Sequence, residues 1–324
     1  MELSQVQTFL AQDWSCFQDL FKKALSSDEP LLKETNAYLA SNEGKMLRPM
    51  LSLLVSRACG NVTDESIRVA AASELLHNAT LLHDDVLDQS ASRRGVPTVM
   101  SLLGSKASVL AGDFWLVKAV ETILDCRRHS KELLRMFSGT VSDLVEGEML
   151  QMEKAGKADT SLMDYHDIIF LKTASLFKTI CSAAALTAGA SSRIENALMN
   201  FGIQLGMAFQ IKDDILDYDG DALGKPVGTD LREGKITLPL LKALEKQEPR
   251  KQASIRRMVY EIPQKDGNVA KVADFVKEND GTALAAVTLQ EYVQRAKECL
   301  GPLPESQAKD WLMKLADYCE YRTI

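Results

Sequence analysis

Between Pro97 and Pro226 the chain runs 128 residues, Thr98 to Lys225, without a proline. Proline lacks the backbone donor and clashes with the preceding helical turn, so this stretch is free of the strongest helix breaker. Its apolar residues recur at intervals of three and four, with no run of alternating β-branched residues. That spacing predicts consecutive long helices. One helix is bounded at about Glu65 to Gln89, apolar at Ile67, Ala70, Ala71, Leu75, Leu76, Ala79 and Leu82, with Thr63 or Asp64 as its N-cap. Ser191 or Ser192 caps another that runs to about Tyr218. A glycine-rich, charged loop follows between Asp219 and Gly234, and Thr237-Leu238-Pro239 then opens a new helix. From Pro249 onward the pattern is amphipathic. No composition shift marks a boundary, so the expectation is a single all-α domain over residues 1–324.

The chain is 46% hydrophobic but only 6% aromatic, which suits a large aliphatic core. Its formal charge of −7 argues against general nucleic-acid binding, which needs a basic surface. The six cysteines (Cys16, Cys59, Cys126, Cys181, Cys299, Cys319) show no CxxC spacing and read as free thiols of a reducing compartment. Met1 to Trp14 has no signal-peptide pattern, and no apolar run is expected to span a bilayer. A cytoplasmic location is the expectation.

Two copies of one acidic signature lie within the apolar helical pattern: Asp84-Asp85-Val86-Leu87-Asp88 and Asp213-Asp214-Ile215-Leu216-Asp217. Residues four apart share a helix face, so Asp84 pairs with Asp88 and Asp213 with Asp217. Carboxylates among leucines and valines need cations. Mg2+ takes one or two carboxylates plus phosphate oxygens and keeps several waters. Asp84, Asp88 and Asp213 are the candidate direct ligands, with Asp85, Asp214 and Asp217 acting through waters. A single such motif is more often a solvated helix face, and it is the repetition that favours a metal.

Basic groups accompany both copies. Gly44-Lys45-Met46-Leu47-Arg48-Pro49 precedes an apolar helix, offering close backbone approach, a point charge and a forked guanidinium. Arg93-Arg94-Gly95 lies five residues beyond Asp88, enough to curl back over the helix end. Gly224-Lys225-Pro226 to Gly234-Lys235 follows the second copy and reads as a lid that brings ammonium groups to a phosphate. Gln210 stands three positions before Asp213, and His77 seven before Asp84 on nearly the same face.

Taken together, Gly44-Lys45-x-x-Arg48-Pro49, Leu81-Leu82-His83-Asp84-Asp85-x-x-Asp88, Arg93-Arg94-Gly95, Gly112-Asp113, Phe209-Gln210-x-x-Asp213-Asp214-x-x-Asp217 and Gly224-Lys225-Pro226-x-Gly228-x-Asp230-Leu231-x-x-Gly234-Lys235 closely resemble the trans (all-E) polyprenyl diphosphate synthases. The matches run in order from Gly44 to about Leu241. The resemblance implies a helical bundle of the isoprenoid synthase type with a central cavity, acting as a homodimer. It further implies condensation of an allylic diphosphate with isopentenyl diphosphate, with three Mg2+ ions once substrate is bound.

By position, Asp84, Asp88 and Asp213 would hold the metal, and Arg93, Lys172, Lys225 and Lys235 would neutralise the allylic diphosphate. Gly44, Lys45, Arg48, His77 and Arg94 would hold isopentenyl diphosphate, while Thr173 and Gln210 would line the reacting cleft. Chain length in this family follows the bulk beneath the first acidic motif, where this chain has Ala79 and Thr80 and, deeper, Leu76. Small residues there imply a long-chain product, such as a quinone side chain, released with transient membrane contact. Against this, Phe114 or Trp115 could close the pocket instead. Arg322, near the end of the sequence, is expected to be solvated. The competing readings are a short-chain (farnesyl or geranylgeranyl) synthase, a terpene cyclase, a non-catalytic partner subunit and a helical scaffold. The second DDxxD with its lysine loop argues against a cyclase, and the retained acidic and basic sets argue against a partner subunit.

Overall fold

The computed structural model describes residues 2–42, 44–218 and 228–323. Among them the chain is helical almost throughout, with one two-residue antiparallel hairpin, Ser92–Arg93 against Val96–Pro97. The all-α expectation holds. The helices are α1 (Leu3–Ala24), α2 (Pro30–Ser41), α3 (Leu47–Ala58), α4 (Asp64–Leu87), α5 (Val99–Leu103), α6 (Ser105–Leu124) and α7 (Ser130–Lys157). They continue with α8 (Leu162–Ile169), α9 (Ser175–Thr187), α10 (Ser192–Tyr218), α11 (Thr229–Arg232), α12 (Leu238–Glu245), α13 (Pro249–Tyr260), α14 (Gly267–Glu278), α15 (Gly281–Cys299) and α16 (Gln307–Tyr321). Contacts divide the chain into two compact units, each discontinuous in sequence. The first is Met1–Phe137, Thr179–Leu198 and Pro302–Leu312; the second is Ser138–Lys178, Met199–Gly301 and Met313–Ile324.

In the first unit α4 is the central element. Thr63 caps it in a reciprocal box with Ser66, satisfying two orphan amides, and Asp64 and Glu65 complement the helix dipole. Ile67, Val69, Ala70, Ala71, Ala72, Leu75 and Leu76 are all buried, so this half of the helix is enclosed on several sides. Alanines let neighbouring backbones approach, and each fully buried leucine contributes roughly 1.5–3 kcal/mol. Against α6 the spacing is close: Ser108 donates to the Leu82 carbonyl at 2.8 Å, and a Cβ on Gly112 would stand 2.4 Å from His83 Nε2. Glu65, 8% exposed, accepts the Arg128 N–H and pairs with His129 Nδ1, each at 2.6 Å, which ties the start of α7 to the start of α4.

The second unit has two close helix contacts that set its geometry. A Cβ on Gly206 of α10 would lie 2.5 Å from the Ala174 Cα, and one on Gly147 of α7 would meet Leu171 at 2.7 Å and Lys172 at 2.8 Å. Both glycines therefore let neighbouring helices close on the turn Phe170–Ala174, which is π-helical. Such one-turn widenings recur at functional positions. The stretch Leu162–Thr187 is long and apolar enough to pass as a membrane span, which corrects the expectation that no run is. Of its most apolar 18-residue window 72% is buried within the protein, as in a core helix of a folded domain. All six cysteines are free, as their spacing suggests.

Candidate functional site

In the first unit the acidic motif closes α4. Asp84 is half-buried and Asp88 exposed, one turn apart on the open side, whereas Asp85 turns inward and is 4% exposed. Arg93 explains that inward turn. The chain leaves α4, forms the hairpin and reverses through Arg94 (φ 54°) and Gly95 (φ 80°). Two successive left-handed residues make a tight hairpin turn, which favours glycine at one of them. The reversal brings Arg93 Nε to Asp85 Oδ1 at 2.8 Å. Burial raises the Asp85 pKa, and the Arg93 guanidinium works against that rise. The curl expected of Arg93-Arg94-Gly95 is therefore present, and Asp85 holds an arginine.

Arg94 lies against Gly44 so closely that a Cβ there would sit 2.4 Å from the guanidinium carbon. Only glycine leaves that room. Arg48 stands in the first turn of α3, and Lys45 is exposed just before it. His77, on the same face as Asp84, has its pKa held well below the usual histidine value by burial and by Arg48, Arg94 and Arg93. It is a neutral imidazole at neutral pH, able to donate to an anion without adding charge. Sequence reasoning missed Glu74, 3% exposed, which accepts from Asn78 Nδ2 at 3.0 Å and is the counter-charge to Arg48 and Arg94. Its position one turn before Asn78 on α4 was the available signal. His83 reaches Asp113 at 3.3 Å through the space at Gly112, which accounts for the Gly112-Asp113 pair in the motif set.

Thr80 shares the Asp84 face, and its hydroxyl donates to the His77 carbonyl at 2.8 Å. Ala79 and Leu76 are each 1% exposed. Trp115 is committed elsewhere: its Nε1 donates to Asn36 at 2.9 Å and its ring meets Phe21 edge-on at 5.7 Å.

In the second unit each aspartate of the motif has a different partner. Asp214, 2% exposed, receives the Tyr165 hydroxyl on Oδ2 at 2.5 Å and the Gln210 amide on Oδ1 at 2.9 Å. Burial pushes its pKa up to about 7, against the pull of those two donors. Gln210 in turn accepts from Thr173 at 2.7 Å, so Thr173, Gln210, Asp214 and Tyr165 form one chain of hydrogen bonds. Asp217 accepts the backbone N–H groups of Thr229 and Asp230 at 3.0 and 3.2 Å, capping α11. Asp213 is paired with Arg322 at 2.6 Å. That corrects the expectation of a solvated Arg322, whose residue exposure is 7%.

Lys172, on the π turn, pairs with Glu148, and Lys235 pairs with Glu233. A cavity of about 120 Å³ is lined by Tyr165, Lys172, Thr173, Gln210, Asp214 and Lys235 among others, gathering most of the candidates of this unit. Lys225 lies outside the described residues. Tyr165, Glu148 and Arg322 had no motif to mark them.

The donor chemistry suits a hard divalent ion. No group of three or more His, Cys, Asp or Glu side chains is assembled among the described residues, and the motif carboxylates that reach solvent, Asp84, Asp88 and Asp213, offer oxygen donors. Mg2+ is commonly held in that manner, by one or two carboxylates with phosphate oxygens and water completing its shell.

The chain is all-helical, with two acidic helix ends, each beside its own cations. Residues 29–276 match the polyprenyl synthetase family, and the chain belongs to that family. It is 36% identical over 325 residues to octaprenyl diphosphate synthase of Escherichia coli, covering 98% of both chains. It is 35% identical over 318 residues to octaprenyl diphosphate synthase of Haemophilus influenzae, covering 98% of this chain and 96% of that one. Among solved structures, a decaprenyl diphosphate synthase from Rhodobacter capsulatus superposes with a TM-score of 0.92 at 31% identity, over the whole of both chains.

Proposed function

We propose that this chain is a trans-prenyltransferase that condenses an allylic diphosphate, farnesyl or geranylgeranyl, with successive isopentenyl diphosphates to give a long-chain all-E polyprenyl diphosphate. The observation that carries the reading is the sorting of charge at the end of α4. Asp84 and Asp88 face outward as a carboxylate pair, while Arg48, Arg93 and Arg94 gather with a neutral His77. A diphosphate needs both kinds of partner, and the names of the relatives supply the prenyl group.

In this reading Asp84, Asp88 and Asp213 would hold Mg2+, which would supply charge neutralisation for the diphosphate leaving group. Arg93, Lys172, Lys225 and Lys235 share that task, since cations preorganised where negative charge develops lower the barrier to ionisation. Gly44, Lys45, Arg48, His77 and Arg94 hold isopentenyl diphosphate, whose double bond attacks the allylic cation; the proton then leaves to the pyrophosphate. Thr173 and Gln210, locked to Asp214, keep a fixed orientation beside the reacting carbons. No side-chain nucleophile is needed. Apolar walls keep water from quenching the cation.

Small residues at 79 and 80, with Trp115 engaged elsewhere, support a long product, and a quinone side chain is the use we assign to it. A homodimer is supported by α6, where Leu110, Val117 and Leu124, seven residues apart, are 67%, 53% and 54% exposed on one face. Incorporation of radiolabelled isopentenyl diphosphate by the purified chain, with farnesyl diphosphate and Mg2+, tests the reaction. Label in a prenyl product supports it, and none from a folded protein refutes a self-sufficient synthase.

A further inference from the structure

We propose that Arg322 is a positioning residue for Asp213, holding one carboxylate oxygen so that the other is presented to the metal-bound diphosphate. The inference rests on the function proposed above.

Three contacts fix the guanidinium. Nη2 donates to Asp213 Oδ1 at 2.6 Å and to the Phe209 carbonyl at 2.9 Å, and the guanidinium carbon lies 3.9 Å from the centre of the Phe209 ring. Phe209 and Asp213 are four residues apart on α10, so Arg322 spans one turn of a single helix face. The Phe209 ring is itself backed by Phe177 at 5.5 Å. On the other side, the Arg322 amide donates to the Tyr318 carbonyl at 3.0 Å, continuing the geometry of α16 and delivering the side chain from a rigid element.

Exposure separates the two partners. The Arg322 side chain is 5% exposed and that of Asp213 is 44% exposed. A guanidinium so deeply placed needs a counter-ion, and Asp213 is that ion. The carboxylate, in contrast, remains open to solvent although one of its oxygens is taken. A pair serving only packing would be enclosed on both sides. The Arg322 Nε–H also meets no acceptor among the described residues. The side chain leaves that donor unused while reaching Asp213, which argues for the carboxylate as the object of the arrangement.

Groups that orient a metal ligand through its far atom lower affinity when removed. Titration calorimetry of the purified chain with Mg2+ and inorganic pyrophosphate reads this directly, without turnover. We expect Arg322→Met, which keeps bulk over Phe209 but no charge, to weaken pyrophosphate binding at saturating Mg2+ by about tenfold. Asp213→Asn is expected to weaken it also, and the double variant no further, because Arg322 acts through Asp213. Arg322→Lys keeps the charge without the fork and is expected to recover part of the loss. It also serves as the test variant if Arg322→Met does not fold, when the same comparison is made in the Asp213→Asn background. Unchanged binding in a folded Arg322 variant, or losses that add in the double variant, overturns the proposal. A wild-type chain that binds no Mg2+ and pyrophosphate overturns the proposed function as well, so the two failures are told apart.

Discussion

Tyr165 offers the most direct probe of how the second acidic motif is held. Tyr165→Phe removes one hydroxyl and no apolar surface. In the structure that hydroxyl is the partner of Asp214 Oδ2 at 2.5 Å, with Tyr165 and Asp214 each 2% exposed. Above pH 7, where Asp214 is ionised, a hydrogen bond to this charged acceptor contributes about 1.5–3 kcal/mol, and water has little room to replace the donor. Gln210 continues to serve Oδ1, so the carboxylate is half-satisfied rather than stripped. About 2 kcal/mol of destabilisation follows, and for a chain of 324 residues that lowers Tm by roughly 3 °C. Differential scanning calorimetry without ligands measures it. Tyr260, 60% exposed, gives the internal control, since its phenylalanine variant should lie within about 0.5 kcal/mol of wild type. If Tyr165→Phe melts with the Tyr260→Phe control, the hydroxyl is not the partner of a buried carboxylate and the hydrogen-bonded chain through Gln210 and Thr173 loses its anchor.

Two further outcomes follow from the same physics. Burial works to raise the Glu65 pKa, but the Arg128 and His129 backbone amides and the His129 ring outweigh it, leaving the pKa below its ordinary 4.5. A carboxylate depressed by folding stabilises above its unfolded pKa and loses that contribution as pH falls through the folded value, so Glu65→Gln should flatten the acid limb of Tm against pH below about 4.5. An acid limb as steep as that of wild type would show that the ion pair with His129 is not linked to folding. Phenylalanine at Thr80 or Ala79 places bulk beneath the first acidic motif and should shorten the products, read by chromatography of the hydrolysed chains; an unchanged distribution would remove both positions from the wall.

The helices were legible because their signals are local. Thr63 caps α4, and Pro239 in the first turn marks the start of α12, both signals readable within four residues. Arg93 was legible in part: the spacing to Asp88 allowed a return, but only two successive left-handed residues, Arg94 and Gly95, aim it at Asp85. The pairing of Asp213 with Arg322 was not legible, because the partners are 109 positions apart and each is an ordinary surface residue by type. Asp217 shows a different limit. Its place in a repeated motif suggests a role equal to that of Asp88, yet it caps α11 while Asp88 is exposed. Repetition in sequence reflects shared ligand chemistry, and the surroundings decide which carboxylates remain open. Glu74 and Tyr165 were hidden because a buried polar group declares itself only through its neighbours.

In the proposed reaction this chain builds a long all-E prenyl chain from isopentenyl units. Mass spectrometry of the products formed by the purified protein from farnesyl diphosphate, isopentenyl diphosphate and Mg2+ tests it in one measurement. The expected product is a polyprenyl diphosphate longer than geranylgeranyl diphosphate. A product that stops at geranylgeranyl diphosphate, or no product from the folded chain, would contradict it.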